Sequence, residues 1–487
     1  MASSVNEAAM VQLSAWLAEG HEALEAQRYA EAAAAFGQAT AALPGEWALH
    51  QMTANAWRLA GDVVRERTAL RAAFELARPT EIDALYALGT ALLESGAPTQ
   101  ARACFEGVVA RRPRDAAALS ALASARRADG DPEGAWSLVQ RALTIAPQMP
   151  ALVLTAAQVR HALGDHAGAR SWLMQAEQIR PGHPLQQTQL AFSLLMGGPC
   201  SAGWAAFESR GRPDTPQGAR DWHGESLVGE SIAVVMEQGL GDLFHFVRYV
   251  RRLEARGAAR VVVECPPSAV SLLAASGFDV VPRGQLPPTV WSVPLLSLPH
   301  RLESNTDTAS DLVPYLRLHE SGTGGGTRAQ STATPRVGIV WKGNPAFLST
   351  ALRDLEMPAL HALMDLPGIE WVWLQLGEDP PEPRHDVVVH APHLSGDWYD
   401  TARTLDTLDL LIAVDTATAH LAGAMGIPTI VLLPFTPDWR WGWHGDRCIW
   451  YPHVRLARQP SSRDWRGAVR VAHTLVGEII GFREVGA

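Results

Sequence analysis

Along the first two hundred residues, small and bulky apolar positions recur with a period of about 34. Each unit carries a small residue, a second small residue twelve positions on, then a bulky one, another small one and a proline. Gly20, Ala32, Phe36, Ala39 and Pro44 make one copy; Gly89, Ala101, Phe105, Val108 and Pro113 make another. Ala123, Ala135, Val139, Ala142 and Pro147 follow, then Ala157, Ala169, Leu173, Ala176 and Pro181. A weaker copy runs through Ala54, Gly61, Leu70, Ala73 and Pro79, and a degenerate one through Ala191, Gly203 and Phe207. Small residues let two antiparallel helices approach, the bulky one fills the gap between them, and proline stops the second helix. Gly61-Asp62, Gly130-Asp131 and Gly164-Asp165 supply turns at corresponding places.

This spacing resembles the tetratricopeptide signature and predicts an α solenoid over residues 1–210. Stacked helix pairs form a groove suited to a peptide or partner protein; a homodimer interface is the alternative use of the same surface. Pro213, Pro216 and Gly218 mark a linker over 211–228, after which the pattern changes to strand, turn and helix. Strands are expected at Ser231–Met236, Arg260–Cys265 and Phe278–Val281, with a helix from the Gly239 turn through Arg256. These belong to a first lobe, 229–318. A glycine-rich linker, 319–335, precedes a second lobe, 336–487. There, strands are expected at Arg336–Trp341, Glu370–Leu376, Leu408–Val414 and Pro428–Leu433, and helices at Pro358–Asp365, Thr416–Met425 and Ser462–Ile480. Two alternating βα blocks predict two doubly wound, Rossmann-like lobes whose ligands lie beyond the carboxyl ends of the strands.

Composition narrows the function. The chain of 487 residues carries 41 basic and 51 acidic side chains, a formal charge of −10, and Lys342 is the only lysine. Neither half is basic enough for a general nucleic-acid binder, and no apolar run is long enough to span a membrane. The N-terminal residues lack the charge and apolar core of a signal peptide, and the four cysteines are far apart. The expectation is a cytoplasmic protein with buried thiols.

The residues just after the strands carry the candidate chemistry. Asp415-Thr416-Ala417-Thr418-Ala419-His420 takes a strand end into a helix N-terminus, where free N–H groups suit a diphosphate. Asp415 is also placed to cap that helix and His420 to pack beneath it. The run D-T-x-x-x-H-L-A-G-A-x-G-x-P, with Pro437-Asp438-Trp439-Arg440-Trp441, resembles the C-terminal lobe of bacterial glycosyltransferases that bear tetratricopeptide repeats. That family has the GT-B fold, is related to heptosyltransferases and is similar in layout to O-GlcNAc transferases. Glu237-Gln238-Gly239-Leu240-Gly241-Asp242, Val340-Trp341-Lys342-Gly343-Asn344-Pro345, Trp450-Tyr451-Pro452 and Arg458-Gln459 fit the same pattern, so the resemblance spans most of the chain.

The resemblance implies an inverting transfer from a nucleotide-sugar substrate to a protein acceptor, flagellin or another surface protein, recruited by the repeats. Asp242, after a Gly-x-Gly turn, is the first choice for general base, with His245 in reserve; an N-terminal helix cap is its structural alternative. Lys342 and Arg353 flank the loop where a phosphate would lie, and Gln375 ends the next strand, where it would meet the nucleoside. Gly241, Gly343, Asn344, Asp415, Thr416, His420, Trp439 and Arg440 complete the implied donor site. The Trp439, Trp441, Trp443 and Trp450 cluster is either a donor-site wall or a buried aromatic core under the last helix. No metal or other cofactor is implied, and Asp129-Gly130-Asp131 reads as a repeat turn. Two departures weaken the implied phosphate site: the nearly uncharged stretch Ala346–Leu352, and Leu376 where relatives carry lysine. Transfer to lipopolysaccharide or another glycan, and an inactive adaptor that binds nucleotide-sugar, are the rival readings.

Overall fold

The computed structural model describes residues 2–76, 82–303, 313–318, 334–343, 353–380, 388–392 and 394–481, with backbone alone for 2–9 and 388. The chain divides into two compact units, Met1–Pro181 and Gly182–Ala487.

The first unit is a tetratricopeptide array of antiparallel helices: α1 (Ala2–Glu25), α2 (Tyr29–Ala42), α3 (Trp47–Leu59), α4 (Val63–Leu76), α5 (Ile82–Glu94), α6 (Pro98–Arg111), α7 (Ala116–Ala128), α8 (Pro132–Ile145), α9 (Pro150–Ala162) and α10 (His166–Ile179). The periodic small residues are the helix contacts. A Cβ on Gly20 would come within 2.5 Å of the Phe36 ring, and Ala32, Ala101, Ala135 and Ala142 have no exposure. The Gly-Asp turns work as a pair: Gly130 takes a left-handed φ of 89°, and Asp131 caps α8 by accepting the Gly134 N–H at 2.8 Å. Asp165 repeats this at α10, accepting from Gly168 at 2.8 Å. The segment Asp129-Gly130-Asp131 is therefore an inter-helix turn.

The second unit opens with a further helix pair, α11 (Pro184–Leu195) and α12 (Ser201–Phe207). The sequence places this pair with the repeats, up to residue 210. Its side chains join the second unit's core, because α12 presents Trp204 and Phe207 to a cluster containing Phe246, Trp439 and Trp450.

Then come β1 (Arg220–Asp221), β2 (Ser231–Val235), α13 (Leu240–Phe246), α14 (Val250–Ala255), β3 (Arg260–Cys265), α15 (Pro267–Ala275), β4 (Asp279–Pro282), β5 (Trp291–Pro294) and α16 (Leu298–Arg301). The single helix expected through Arg256 is broken by a 3-10 turn at Val247–Tyr249. Next are β6 (Arg336–Val340), α17 (Met357–Met364), β7 (Glu370–Trp373), β8 (Val388–His390), α18 (Trp398–Leu405), β9 (Leu410–Val414), α19 (Ala417–Met425), β10 (Thr429–Leu433), β11 (Val454–Arg458) and α20 (Trp465–Ile480).

The strands form two sheets, β1-β5-β2-β3-β4 and β11-β10-β9-β6-β7-β8, in which every pairing is parallel. Chain order runs outward from β2 and then restarts at β5; in the second sheet it runs outward from β6 and restarts at β9. Those reversals open a crevice at the carboxyl ends of β2/β5 and of β6/β9. Both faces of the second sheet are covered. Leu410, Ile412 and Val414 of β9 enter the core shared with α17 and α20, while Leu411 and Ala413 enter the core shared with α19 and the first sheet. Burial on both faces explains why these strands read as unbroken apolar runs.

Candidate functional site

At the first crevice, β2 is followed, after Met236, by Glu237, Gln238 and Gly239. The Glu237 carboxylate is buried; it accepts the Leu296 N–H beyond β5 at 3.0 Å and both arms of the Arg210 guanidinium, at 2.6 and 3.0 Å. Gln238 is exposed with a φ of 59°, a left-handed conformation that costs a non-glycine residue energy and aims the chain sharply into α13. Asp242, in the first turn of α13, accepts the Gly239 N–H at 3.1 Å, so the capping role is real. Its other oxygen takes a hydrogen bond from Arg440, in the loop after β10. Burial pushes this carboxyl above the ordinary carboxylate range, opposed by Arg440 and the Gly239 N–H. A raised pKa makes a carboxylate a better proton acceptor near neutrality.

Gly241 sets the approach of the two sheets' helices. A Cβ there would lie 3.1 Å from the His420 ring and 3.7 Å from Ala417, in the first turn of α19. A larger residue would push α13 and α19 apart.

At the second crevice, the loop after β6 faces the start of α19. Arg353 bridges the gap, donating to the Asp415 carboxylate at 3.2 Å. Asp415 therefore sits one residue before the helix cap, and Thr416 takes the cap position. The Thr416 hydroxyl turns back to the Val414 carbonyl at 3.2 Å. The first N–H groups of α19 have no acceptor within the helix. Gln375, expected to meet the nucleoside, is half-buried and also has a structural task. Its carbonyl oxygen accepts the Trp341 and Lys342 N–H groups at 3.2 and 3.0 Å, so it is the strut of the Lys342 loop. Gly343 N–H is held by Asp354 at 2.9 Å. The Lys342 ammonium lies 4.0 Å over the Trp341 ring and pairs with Glu378 at 2.7 Å. Asn344 and the stretch 346–352 lie outside the described residues.

The remaining expected residues stand behind the crevices. His245 is fully buried, with Nδ1 2.9 Å from the Tyr451 hydroxyl, which removes it from any surface an acceptor would touch. His420 is buried too, stacked on Trp441 at 4.9 Å, and burial beside Arg440 lowers it to about 3, so both imidazoles are neutral. Trp439 is buried against Trp204 and Phe207, so it belongs to an aromatic core that anchors α12 rather than α20. Arg440 crosses its ring at 4.4 Å and is fixed by Asp438 at 2.8 Å.

Sequence reasoning missed a buried polar group beneath these residues. Arg248 donates to the His245 and Trp450 carbonyls at 2.8 and 3.0 Å and to the Tyr315 hydroxyl at 2.9 Å. Tyr315 in turn donates to the Phe244 carbonyl at 2.7 Å. In the sequence Tyr451 is the middle of a Trp-Tyr-Pro run, and nothing local marks its hydroxyl as a junction.

Comparison with known proteins agrees with the repeats. Family profiles described as tetratricopeptide repeat match residues 17–78 and 86–150, and another matches 126–191. Protein FlbA of Caulobacter vibrioides is 26% identical over 318 residues, covering 56% of this chain and 51% of that protein. The chain thus spans about half the length of that relative, and the match is longer than the first unit, so it enters the second. Among solved structures, a tetratricopeptide repeat protein from Parabacteroides merdae is 14% identical over 40% of this chain and 78% of its own, with a TM-score of 0.34. A thermophilic one from Thermus thermophilus is 23% identical over 34% and 89%, with a TM-score of 0.29. The first unit of this chain is a tetratricopeptide-repeat array.

Proposed function

We propose that the second unit is a GT-B glycosyltransferase that moves a sugar from a nucleotide-sugar to a protein side chain captured by the repeats. The observation that carries this reading is the meeting of Asp242 and Arg440 beside the first turn of α19, with Arg353 and Asp415 closing the second crevice. One carboxylate of raised pKa stands next to cations and the N–H groups at a helix N-terminus, the combination a sugar transfer needs. In the proposed step the acceptor hydroxyl gives its proton to Asp242 while its oxygen bonds to the anomeric carbon. The bond from that carbon to the phosphate oxygen breaks, and the departing nucleotide takes the electron pair. Arg353, Lys342 and the α19 N–H groups stabilise that charge.

The test is donor hydrolysis and transfer with UDP-, GDP-, ADP- and CMP-sugars, with thermal shift identifying the nucleotide beforehand. Asp242→Asn should lower turnover by about 10²–10⁴-fold while leaving donor binding and acceptor capture in place. Binding of a nucleotide-sugar with no turnover by the unaltered chain would favour the adaptor reading. That rival draws on the exposed Leu376, which leaves the Lys342 loop with one cation fewer than the resembled family.

A further inference from the structure

The Tyr451 hydroxyl lies 2.9 Å from Nδ1 of His245 and 3.0 Å from Nδ1 of His420. It has one proton, so it cannot donate to both rings. Each neutral imidazole carries one N–H, so when the phenol donates to one ring it accepts from the other. Nε2 of His420 settles the division. It lies 3.9 Å from Oδ1 of Asp415, whose other oxygen is paired with Arg353. A bare nitrogen lone pair facing that carboxylate would be repelled, so the His420 proton belongs on Nε2. Its Nδ1 then accepts from Tyr451, and His245 must donate Nδ1–H to the same hydroxyl.

What remains for His245 is a bare Nε2 with no hydrogen-bond partner among the described residues, in a cage formed by Trp450 and Phe246, each with its ring centroid 4.7 Å away. That agrees with the assignment, since buried orphan acceptors are tolerated better than orphan N–H groups. The alternative acceptor for Tyr451 is the Tyr315 hydroxyl. It would leave both rings protonated at Nδ1 and turn the His420 lone pair on Asp415. Tyr451 reaches this junction because Gly423 has no side chain: a Cβ there would lie 2.6 Å from the tyrosine ring.

We infer that Tyr451 is a positioning residue that holds His245 and His420 in opposite tautomers and so aims the Nε2–H of His420 at Asp415, the carboxylate that seats Arg353. The chain His245, Tyr451, His420, Asp415, Arg353 runs from α13, three residues past Asp242, to the second crevice. The tautomer pair rests on the hydrogen-bond geometry of two buried neutral rings; its consequence for phosphate binding rests on the proposed transferase reading.

The test uses the full chain labelled with ¹⁵N-histidine, assigned by comparison with His245→Gln and His420→Gln. The unaltered chain should show His245 protonated at Nδ1 and His420 at Nε2. The same tautomer on both rings, or Nδ1–H on His420, overturns the inference without any Tyr451 variant having to fold. Tyr451→Phe keeps the ring on Gly423 and removes only the hydroxyl. It should mix the tautomers and weaken binding of inorganic pyrophosphate about fivefold. Unchanged tautomers in that variant would also overturn the inference. If the unaltered chain shows the opposite tautomers yet binds no pyrophosphate, the relay stands and the transferase reading falls.

Discussion

The two units bury their cores in opposite ways. In the first, each apolar cluster joins helices that are neighbours in the chain, as Phe36 does with Ala23 and Ala56, and Phe105 with Leu88 and Leu122. In the second, one core collects residues from Ala191 to Leu456, and its buried polar contacts join positions such as His245 and Tyr451, 206 residues apart. A repeat array is therefore a sum of local parts, whereas the second unit stands or falls together. Recognition suits the first arrangement, because one groove residue can change without disturbing the rest. Fixed geometry between distant charges suits the second.

The largest expected effect tests that contrast directly. Arg210→Ala strands the buried Glu237 carboxylate, costing about 3–5 kcal/mol. Hydrogen exchange should rise throughout residues 182–481 while α1–α10 stay protected. Loss of protection in the array would break the contrast.

Acid gives the next largest. His161 in the first unit is lowered to about 4, chiefly by burial and then by Arg127. In the second unit both His420 and His245 are lowered. Each takes up a proton near the ordinary histidine range only after unfolding, so stability present at pH 7 is lost as pH falls below about 6.5. The slope is about 1.4 kcal/mol per pH unit for one such histidine and about twice that for two. Denaturant melts at pH 6.5 and 5.5, followed by segment-resolved exchange, should show the second unit weakening faster. Equal weakening would mean that one of its two histidines is not held neutral.

Lys342→Ala should lower transfer about tenfold, equivalent to about 1.4 kcal/mol, and leave acceptor capture unchanged. Lys342→Arg should not restore it fully, because a guanidinium fork does not replace a compact ammonium between Trp341 and Glu378. A fully active arginine variant would make the solitary lysine an accident of composition. The smallest effect is Asp131→Ala, which removes one cap and costs about 1 kcal/mol. Faster exchange should stay within the first turns of α8; spread along the array would show that its parts are coupled.

The same contrast governs what could be read in advance. Repeat positions such as Gly89 and Phe105 are legible because their partners lie at a fixed distance along the chain. The strands β3, β6, β9 and β10 are legible to within a residue or two because their apolar runs are continuous. Strand β1 falls in a stretch that looks like linker, since a two-residue edge strand has no pattern of its own. Strand β11 has mixed burial and so no continuous apolar run either. At the site, Asp242, Arg353, Asp415 and Arg440 follow strands in the chain, which the sequence shows, but their pairing has no local signal. Gln375 and Trp439 take structural tasks for reasons that only the fold supplies. A glutamine at a strand end satisfies the neighbouring loop's N–H groups, and a tryptophan beside α12 fills the gap between helices.

The pairing of Arg353 with Asp415, repeated by Arg440 with Asp242 and Asp438 and by Lys342 with Glu378, has a kinetic consequence. With Asp354 on Gly343, and the buried Glu237–Arg210 pair set aside, the described residues of these crevices carry five carboxylates beside three cations. Such a surface does not draw an anion in from a distance, so long-range attraction adds nothing to the encounter rate. A phosphate arriving there must take each cation from the carboxylate that holds it. Added salt, which weakens most phosphate sites, would here shield the repulsion as much as the attraction. Discrimination between anions then falls to the exchange of partners after arrival: only a ligand with oxygens at the spacing of these cations can replace several carboxylates at once.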